Sequence, residues 1–206
     1  AEYKFDGKEK HRLDFWWHGR IENVMEANFM ANSPGSGGGI IPAPGAFILH
    51  PYGRFSNANK FAGEVDTFEC LEHAKKHYRI DENKLVARGF SMGGAGTWHL
   101  GLHHPFTFAV MGPGAGFSTT REYIGEKKFG TQPDYIEKCL HIYDAVDYAE
   151  NNFNIPIVAY SGAEDPQKLA ADLIEAKLKE FKVVSTGEDV PAQISAINNF
   201  IDSGYD

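Results

Sequence analysis

A serine between two glycines, placed between a predicted strand and a predicted helix, constrains the fold of this chain most strongly. Residues 88–96 read RGFSMGGAG, which puts Ser91 in a G-x-S-x-G pattern. The apolar run KLVARGF precedes it and the small-residue run MGGAGTWHLGL follows it. The pattern alone is weak, but a strand before it and a helix after it make it specific. It predicts a sharp turn that presents Ser91 at the carboxyl edge of a sheet; the alternative is a glycine-rich turn with an idle serine.

The remainder of the chain alternates predicted strands with predicted helices. Strands are expected at 11–20, 46–54, within 81–91, from 108, at 155–165 and at 182–186, and helices at 63–80, 92–105, 133–152, 165–181 and 190–206. This alternation predicts an α/β fold with a mainly parallel sheet and helices on both faces, in three layers. A length of 206 residues suits a single domain of this kind.

The charge balance limits the partners of the chain. Lys and Arg number 20 and Asp and Glu number 28, which gives a net charge of −8. An acidic chain without a basic cluster is a poor ligand for nucleic acid or an anionic membrane, so we expect neither as a partner. The polar start AEYKFDGKEK has no initiator Met. We interpret it as a processed or excised end, which says little about the compartment. The location is left open, with a secreted or periplasmic one favoured over a cytoplasmic one.

Backbone amides near Ser91 could stabilise a developing oxyanion. The amide of Met92 lies at the predicted helix start, where the helix dipole favours negative charge. A second donor is expected within DFWWHGR (14–20), where a strand is followed by His18-Gly19-Arg20; Gly19 allows a close approach, and its amide or that of Arg20 would complete the site. His18 in this loop is a candidate substrate contact, and we interpret it as a loop-ordering side chain rather than a base.

These features resemble the α/β-hydrolase family, and more narrowly the esterase and prolyl-oligopeptidase-like branch of bacterial serine hydrolases. The resemblance covers about residues 11–170, through WWHGR (16–20), HPYGRFSNANKFAGEVD (50–66), GFSMGGAG (89–96) and YDAVDYAENNFNIPIVAYSGAED (143–165). It implies that Ser91 is the nucleophile and that a triad carboxylate follows IPIVAYSG. Asp165 occupies that loop, with Glu164 as the near alternative. Apart from the resemblance, Asp165 reads as the N-cap of the next helix, because Pro166 follows it.

The expected histidine base is missing from its place in the sequence. The family's triad runs Ser, acid, His in chain order. The nine histidines are residues 11, 18, 50, 73, 77, 99, 103, 104 and 141, so none follows Asp165. A serine hydroxyl without a base is a poor nucleophile at neutral pH. We take His50 as the best stand-in, because the strand before it is expected to end at the same sheet edge as Ser91.

The segment HPYGRFSNANKF offers polar groups at that edge, where ligands bind in open α/β sheets. Arg54 could hold a substrate carboxylate, and Asn57 could bind polar substrate groups. The alternative is an ordered loop held by these side chains. Cys70, His73 and His77 share one flank of the predicted 63–80 helix, but no fourth ligand is evident. We therefore predict no metal and no cofactor, and read Cys70 and Cys139 as partly buried free thiols.

The end of the sequence has a different character. Residues 175–206 are similar to a strand-helix unit of type I periplasmic sugar-binding proteins, through the spacing of Asp189, Gln193, Ile194, Ile197, Phe200, Ile201, Gly204 and Asp206. Within a single domain, 1–206, we distinguish a hydrolase core (1–174) from a strand-helix element (175–206). That element is either foreign, as in a chimera or truncated fragment, or native and divergent.

The sequence therefore favours a serine hydrolase that acts on small carboxylic esters through an acyl-enzyme on Ser91, with activity impaired by the absent histidine. A catalytically silent scaffold of the same fold is the main alternative. Sugar binding through 175–206 is less favoured, because a binding cleft needs two lobes. The oligomeric state is left open.

Overall fold

The computed structural model describes residues 7–23, 25–32 and 43–180. Its sheet has four strands: β1 (His11–Trp17), β2 (Phe47–Leu49), β3 (Ile80–Phe90) and β4 (Val110–Gly114). They lie in the order β2-β1-β3-β4, and every pairing is parallel. Parallel neighbours need crossover connections, which here run through helices, so the predicted α/β class with a parallel sheet is confirmed.

Seven α-helices and one 3-10 helix lie within the described ranges. They are α1 (Glu26–Asn32), α2 (Ala62–His77), α3 (Met92–His103), α4 (Thr120–Ile124), α5 (Glu126–Phe129), α6 (Asp134–Leu140), η1 (the 3-10 helix, Ala145–Asn151) and α7 (Lys168–Glu180). The predicted helices at 63–80, 92–105 and 165–181 correspond to α2, α3 and α7. The predicted helix at 133–152 is instead divided between α6 and η1, with a turn between them.

The main core lies on one face of the sheet. Leu13, Phe15 and Trp17 alternate along β1 and are almost fully buried on this face. The register puts Leu13 beside Leu85 and Phe15 beside Ala87 of β3, so both central strands contribute to the same layer. Side chains from α2, α3, η1 and α7 complete the cluster. The packing fixes the two central strands whose carboxyl ends carry the candidate site.

The opposite face of the sheet holds a buried ion cluster. Asp14 of β1 accepts from Arg88 of β3 at 2.6 Å and from Arg12 at 2.5 and 2.7 Å. Asp14 is 1% exposed. The Arg88 guanidinium also lies 5.2 Å from the ring centre of Trp16. Buried charges are costly unless they are paired. The Arg12–Asp14 pair lies within β1, and the Arg88–Asp14 pair crosses from β3 to β1.

The predicted strand at 155–165 pairs with β4 only at isolated bridges, Met111 with Ile157 and Gly114 with Tyr160. Hydrogen bonds join the two segments at both ends. Pro113 lies in β4 between the two bridged residues, Met111 and Gly114, and has no backbone N–H to donate to the neighbouring segment. The proline interrupts the ladder, so no continuous fifth strand forms in the described part of the chain.

Several predicted boundaries are wrong. The run 11–20 is predicted as a strand, but β1 ends at Trp17 and His18-Gly19-Arg20 follow it as a loop. Of the run 46–54, predicted as a strand that continues into a turn, only Phe47–Leu49 forms β2. β3 begins at Ile80 and includes the polar residues 81–84, which were expected to form a turn. Of these four residues Glu82 and Asn83 are exposed and Asp81 and Lys84 are half-buried, so the polar start of β3 does not have to pack in the core.

The two cysteines are free thiols; Cys70 is half-buried and Cys139 is exposed rather than partly buried. Burial raises the pKa of the Cys70 thiol. None of the described helices combines the length and hydropathy needed to cross a bilayer. The predicted strand at 182–186 and helix at 190–206 lie outside the described residues. Of the 175–206 element, only residues 175–180 are described, as the end of α7.

Candidate active site

Ser91 occupies a strained turn between β3 and α3. Its backbone angles are φ 57° and ψ −120°, and α3 begins at the next residue. A positive φ is uncommon for a residue with a side chain and costs on the order of 1–3 kcal/mol. The Ser91 N–H donates to Gly114 O at the end of β4 (2.8 Å), and Ser91 O accepts from Ala95 N–H of α3 (3.1 Å). The sheet and the helix together hold the serine in this conformation.

Glycines let the turn pack directly on the sheet backbone. A Cβ at Gly93 would lie 2.0 Å from Trp17 O, and a Cβ at Gly94 would lie 2.2 Å from Gly114 O. A Cβ at Gly89 would lie 2.4 Å from Gly93 O. No side chain fits at these distances, which accounts for the glycine spacing in the sequence.

The loop after β1 lies against the Ser91 turn. A Cβ on Gly19 would lie 3.6 Å from Phe90 O and 3.7 Å from Ser91 Cβ, which is ordinary contact. Gly19 and Arg20 are therefore adjacent to the serine from the β1 side, while Met92 follows it at the start of α3. Amide donors at a helix start and in an adjacent loop are the chemical means of stabilising an oxyanion.

His18 ties this loop to the segment after β2. Its Nδ1 lies 2.7 Å from Gly19 O and its Nε2 lies 2.8 Å from Tyr52 O. The ring is buried and lies against Phe29, with 5.0 Å between ring centres. Both nitrogens face backbone carbonyls, which fits the expectation of a loop-ordering side chain.

Arg54 and Asn57 belong to a loop with several strained residues. Arg54 Nε donates to Asp66 at 2.7 Å, and the Arg54 side chain does not line the cavity described below. Asn57 Nδ2 donates to Gly53 O at 3.1 Å, and its Oδ1 accepts from Asn59 N–H at 2.9 Å. These contacts order the loop, although Asn57 also lines the cavity.

Asp165 lies in the loop before α7. Its Oδ1 accepts from Gln167 N–H at 2.9 Å, the contact of a helix-capping aspartate. Glu164 is exposed. The loop follows Tyr160, which bridges to the end of β4, so Asp165 lies beyond the carboxyl edge of the sheet. In the described residues the Asp165 carboxylate makes no hydrogen bond to a histidine.

His50 follows β2, whereas Ser91 follows β3, and β1 lies between those two strands. Two strand spacings correspond to about 10 Å. Burial lowers the pKa of His50. The structure therefore places His50 at the same edge of the sheet, but over the described ranges it gives no hydrogen bond from any histidine to Ser91.

A cavity of about 820 Å³ adjoins the turn through Met92. Apart from Met92, its lining comes from three segments: the loop after β1, the loop after β2, and residues 117–124, which include α4. The lining includes Arg20, Glu22, Lys60, Phe117, Thr120 and Tyr123. Ligand sites in proteins usually have this size and a mainly apolar lining with a few polar groups.

The sequence prediction missed most of this lining. Lys60 belongs to the same loop as Arg54 and Asn57 and could have been found there. Phe117, Thr120 and Tyr123 lie in a region without a periodic pattern, which gave no signal for a cavity wall.

The predicted flank of Cys70, His73 and His77 forms no cluster of ligand atoms among the described residues. The His73 and His77 rings instead stack, with centres 4.1 Å apart. A second set does cluster: ligand atoms of His141, Asp144 and Asp147 lie within 4.8 Å of one another. His141 Nδ1 pairs with Asp147 at 2.5 Å, and Asp144 accepts from Thr120 N–H at 2.8 Å.

Comparison with known sequences places this geometry in context. A sequence model of the prolyl oligopeptidase family matches residues 53–173, more than half of the chain. No curated protein gives a significant match to the sequence.

Solved structures share the fold at low identity. A dipeptidyl aminopeptidase IV from Bacteroides ovatus superimposes with a TM-score of 0.63 and 15% identity, over 98% of this chain and 32% of that protein. An S-formylglutathione hydrolase from Staphylococcus aureus gives a TM-score of 0.58 and 15% identity, over 94% of this chain and 82% of that one. A ferulic acid esterase gives 0.58 and 15%, over 94% and 84%. The chain thus spans about a third of the peptidase's length.

Proposed function

Because the chain belongs to the prolyl oligopeptidase family, we propose that it is a serine hydrolase in which Ser91 attacks carboxylic esters and carries the acyl group. The observation that carries this proposal is the strained Ser91 turn at the sheet edge, beside a cavity of about 820 Å³. Ser91 is half-buried on this turn. A serine on such a turn, with amides at a helix start next to it, suits acyl transfer.

The proposed reaction has two steps. Ser91 Oγ forms a bond to the ester carbonyl carbon, the alcohol leaves with a proton, and the acyl group remains on Ser91. Water then attacks the acyl-enzyme and releases the acid. The amides of Met92 and of Gly19 or Arg20 would donate to the oxyanion in both steps, and each such donor is worth on the order of 10²–10³ in rate.

The base and acid are separate parts of the proposal. Burial lowers the pKa of His50, which keeps its imidazole neutral and able to accept a proton at pH 7. Asp165 holds the position of the family's acid and also accepts from Gln167 N–H. It follows the segment beyond β4, on the other side of Ser91 from His50, so the proposal includes no contact between Asp165 and His50. A transfer from Ser91 to His50 needs a bridging water or a loop movement, because β1 separates their strands. This requirement is consistent with slow turnover.

Esters are favoured over peptides as substrates. An ester alkoxide is a better leaving group than an amine, so an ester tolerates a weaker base. Within the described ranges the walls of the cavity are the loops after β1 and β2 and residues 117–124. These surround a cavity of small-molecule size.

A catalytically silent domain of the same fold is the second candidate. One observation favours it: among the described residues no histidine makes a hydrogen bond to Ser91 or to Asp165, whose carboxylate accepts from Gln167 N–H. This candidate would bind acyl compounds in the same cavity without turning them over.

The test combines a fluorophosphonate probe with a p-nitrophenyl ester. We expect the probe to label the protein, and Ser91→Ala to abolish both labelling and turnover. Ser118→Ala is the matched control, because its hydroxyl is buried with no hydrogen-bond partner among the described residues. Equal turnover in the parent protein and Ser91→Ala would refute the proposal. Labelling without turnover would favour the silent domain.

Asp165 is tested by two substitutions. Asp165→Ser keeps an oxygen that can accept from Gln167 N–H but removes the carboxylate, whereas Asp165→Ala removes both. If the carboxylate assists catalysis, both variants lose activity although only Asp165→Ala loses stability. Unchanged activity in Asp165→Ser would leave Asp165 as a capping residue alone.

A further inference from the structure

Lys60 reaches the wall of the cavity without a carboxylate in ion-pair contact among the described residues. Its Nζ donates to Thr120 Oγ1 at 2.9 Å. The same Nζ lies 5.5 Å from the ring centre of Phe117 and 5.9 Å from that of Tyr143. Thr120 and Phe117 both line the cavity, so the ammonium lies at its surface.

Burial lowers the pKa of Lys60, and the charge of Asp144 offsets this in part. Asp144 is buried and accepts from Thr120 N–H at 2.8 Å. It is not part of the cavity lining, so it stands behind Thr120 rather than between Lys60 and a ligand. The ammonium therefore keeps unused donor capacity on its cavity side.

The other charges of the described cavity lining cancel. Arg20 and Glu22 at the rim form an ion pair with each other, and both are exposed. Surface pairs of this kind contribute little and leave no net charge. Lys60 is the remaining charged lining residue, which makes the lining positive by one in a chain whose net charge is −8. A local positive site in an acidic protein favours anions over neutral ligands.

The wall beside Lys60 is aromatic. Phe117 and Tyr123 stack with 4.3 Å between ring centres and 20° between ring planes. Tyr52 and Phe55 add further aromatic surface to the same lining. Flat apolar groups pack well on such surfaces.

We propose that the cavity selects flat acyl groups that carry a carboxylate, with Lys60 binding the carboxylate beside the Phe117–Tyr123 stack. This specificity rests on the proposed function, because the acyl group must also reach Ser91. The binding part is independent of chemistry at Ser91. The two parts can therefore fail separately.

Binding is measured by isothermal titration with benzoate and benzamide, which have the same shape and differ in charge. Ser91→Ala is used as well as the parent chain, so that the result does not depend on turnover. We expect benzoate to bind at least tenfold more tightly than benzamide to both proteins. In Lys60→Met, which keeps the length of the side chain without its charge, the ratio is expected to fall to about one, and Lys60→Arg should restore part of it.

Lys76→Met is the matched control, because Lys76 is exposed on α2 and its loss changes the net charge equally. A purely structural role of Lys60 would weaken binding of benzoate and benzamide alike and leave their ratio unchanged. A ratio near one in the Ser91→Ala protein, or a ratio that survives in Lys60→Met, would overturn the assignment.

Turnover is compared on p-nitrophenyl benzoate and p-nitrophenyl 4-carboxybenzoate. We expect kcat/KM to favour the carboxylated ester at least tenfold, and Lys60→Met to remove this preference. Turnover without preference would overturn the Lys60 proposal and leave the proposed function intact. Benzoate selectivity without turnover of either ester would support the Lys60 site and count against the hydrolase.

Discussion

Phe61 and Ser91 have nearly the same backbone conformation. Phe61 has φ 53° and ψ −117°, and Ser91 has φ 57° and ψ −120°. Each residue directly precedes a helix, α2 or α3. Each amide also donates to a distant group, Phe61 to Tyr143 Oη at 2.9 Å and Ser91 to Gly114 O at 2.8 Å. Strained turns of this kind persist where surrounding contacts hold them.

The strain at Ser91 predicts a difference between two inactive variants. Ser91→Gly removes the penalty of a positive φ, whereas Ser91→Ala keeps it. We expect Ser91→Gly to be more stable than Ser91→Ala by about 1 kcal/mol, after the greater entropy of glycine in the unfolded chain is counted. Urea unfolding of both variants measures this. Equal midpoints would mean that the strain at Ser91 is no larger than the entropy cost of glycine, and would contradict the prediction.

Gly93 is expected to tolerate no side chain. A Cβ there would lie 2.0 Å from Trp17 O, so Gly93→Ala must displace either the end of β1 or the start of α3. We expect a loss of about 3 kcal/mol or more, at the upper end of overpacking effects. Gly162→Ala is the control, since its Cβ would have ordinary contacts at 3.6 Å or more. Thermal unfolding should separate the two variants clearly, and similar Tm values would contradict the packing of the turn.

His99 predicts acid sensitivity. It is 1% exposed, its Nε2 lies 2.8 Å from Ala58 O, and burial lowers its pKa to about 3. Nearby Lys60, His103 and His104 act in the same direction. Because an unfolded histidine has a pKa of about 6.5, the unfolded state binds more protons between pH 6.5 and 3. The free energy of unfolding therefore decreases as the pH is lowered through this window. The contribution of His99 to this decrease is about 2.5 kcal/mol between pH 7 and pH 4.5.

The variant His99→Gln isolates this effect. Glutamine can donate to Ala58 O but does not titrate. The free energy of unfolding of the variant therefore lacks the pH-dependent contribution of His99. We expect the variant to be less stable than the parent at pH 7 and the difference to narrow as the pH is lowered toward 4.5. Chemical unfolding at several pH values measures the difference. A constant gap would show that His99 does not drive the pH dependence.

From the Asp14 cluster we predict a large loss of stability when the Asp14 carboxylate is replaced by an amide. Asp14→Asn removes the charge that balances Arg88 and Arg12 across β1 and β3. Loss of one partner of a buried pair typically costs about 3–5 kcal/mol, because the other charge stays buried. Asp172→Asn is the matched control; its pair with Lys168 is exposed and is expected to contribute less than about 1 kcal/mol. Comparable losses in the two variants would refute the buried pairing.

The turn at Ser91 could be predicted from the sequence because its determinants are local. Gly89 and Gly93 lie two residues before and after the serine in the sequence, and the strand before it and the helix after it are visible as patterns. The position of Gly19 near Ser91 could also be predicted from the sequence, because the carboxyl ends of parallel strands lie at one edge of a sheet. The interruption at Pro113 did not follow, because it depends on which segment pairs with β4.

The cavity could not be predicted in the same way. Lys60 bonds to Thr120, which is 60 residues away in sequence, and lies over Phe117. Such a contact depends on how two loops pack after the sheet has formed, and neither loop has a periodic pattern. Asp165 shows a different limit, because the same aspartate suits a helix cap and a catalytic carboxylate.

The contact of Gly93 with the end of β1 also matters for redesign. Since backbone meets backbone there, the position of Ser91 is set mainly by the ends of β1 and β4, and less by the side chains of the loops around the cavity. A protein engineer can therefore treat the serine as a fixed reference point. Histidines can be scanned through the surrounding loops in search of a better base, and the cavity segments can be exchanged to change the substrate range, without rebuilding the nucleophile each time.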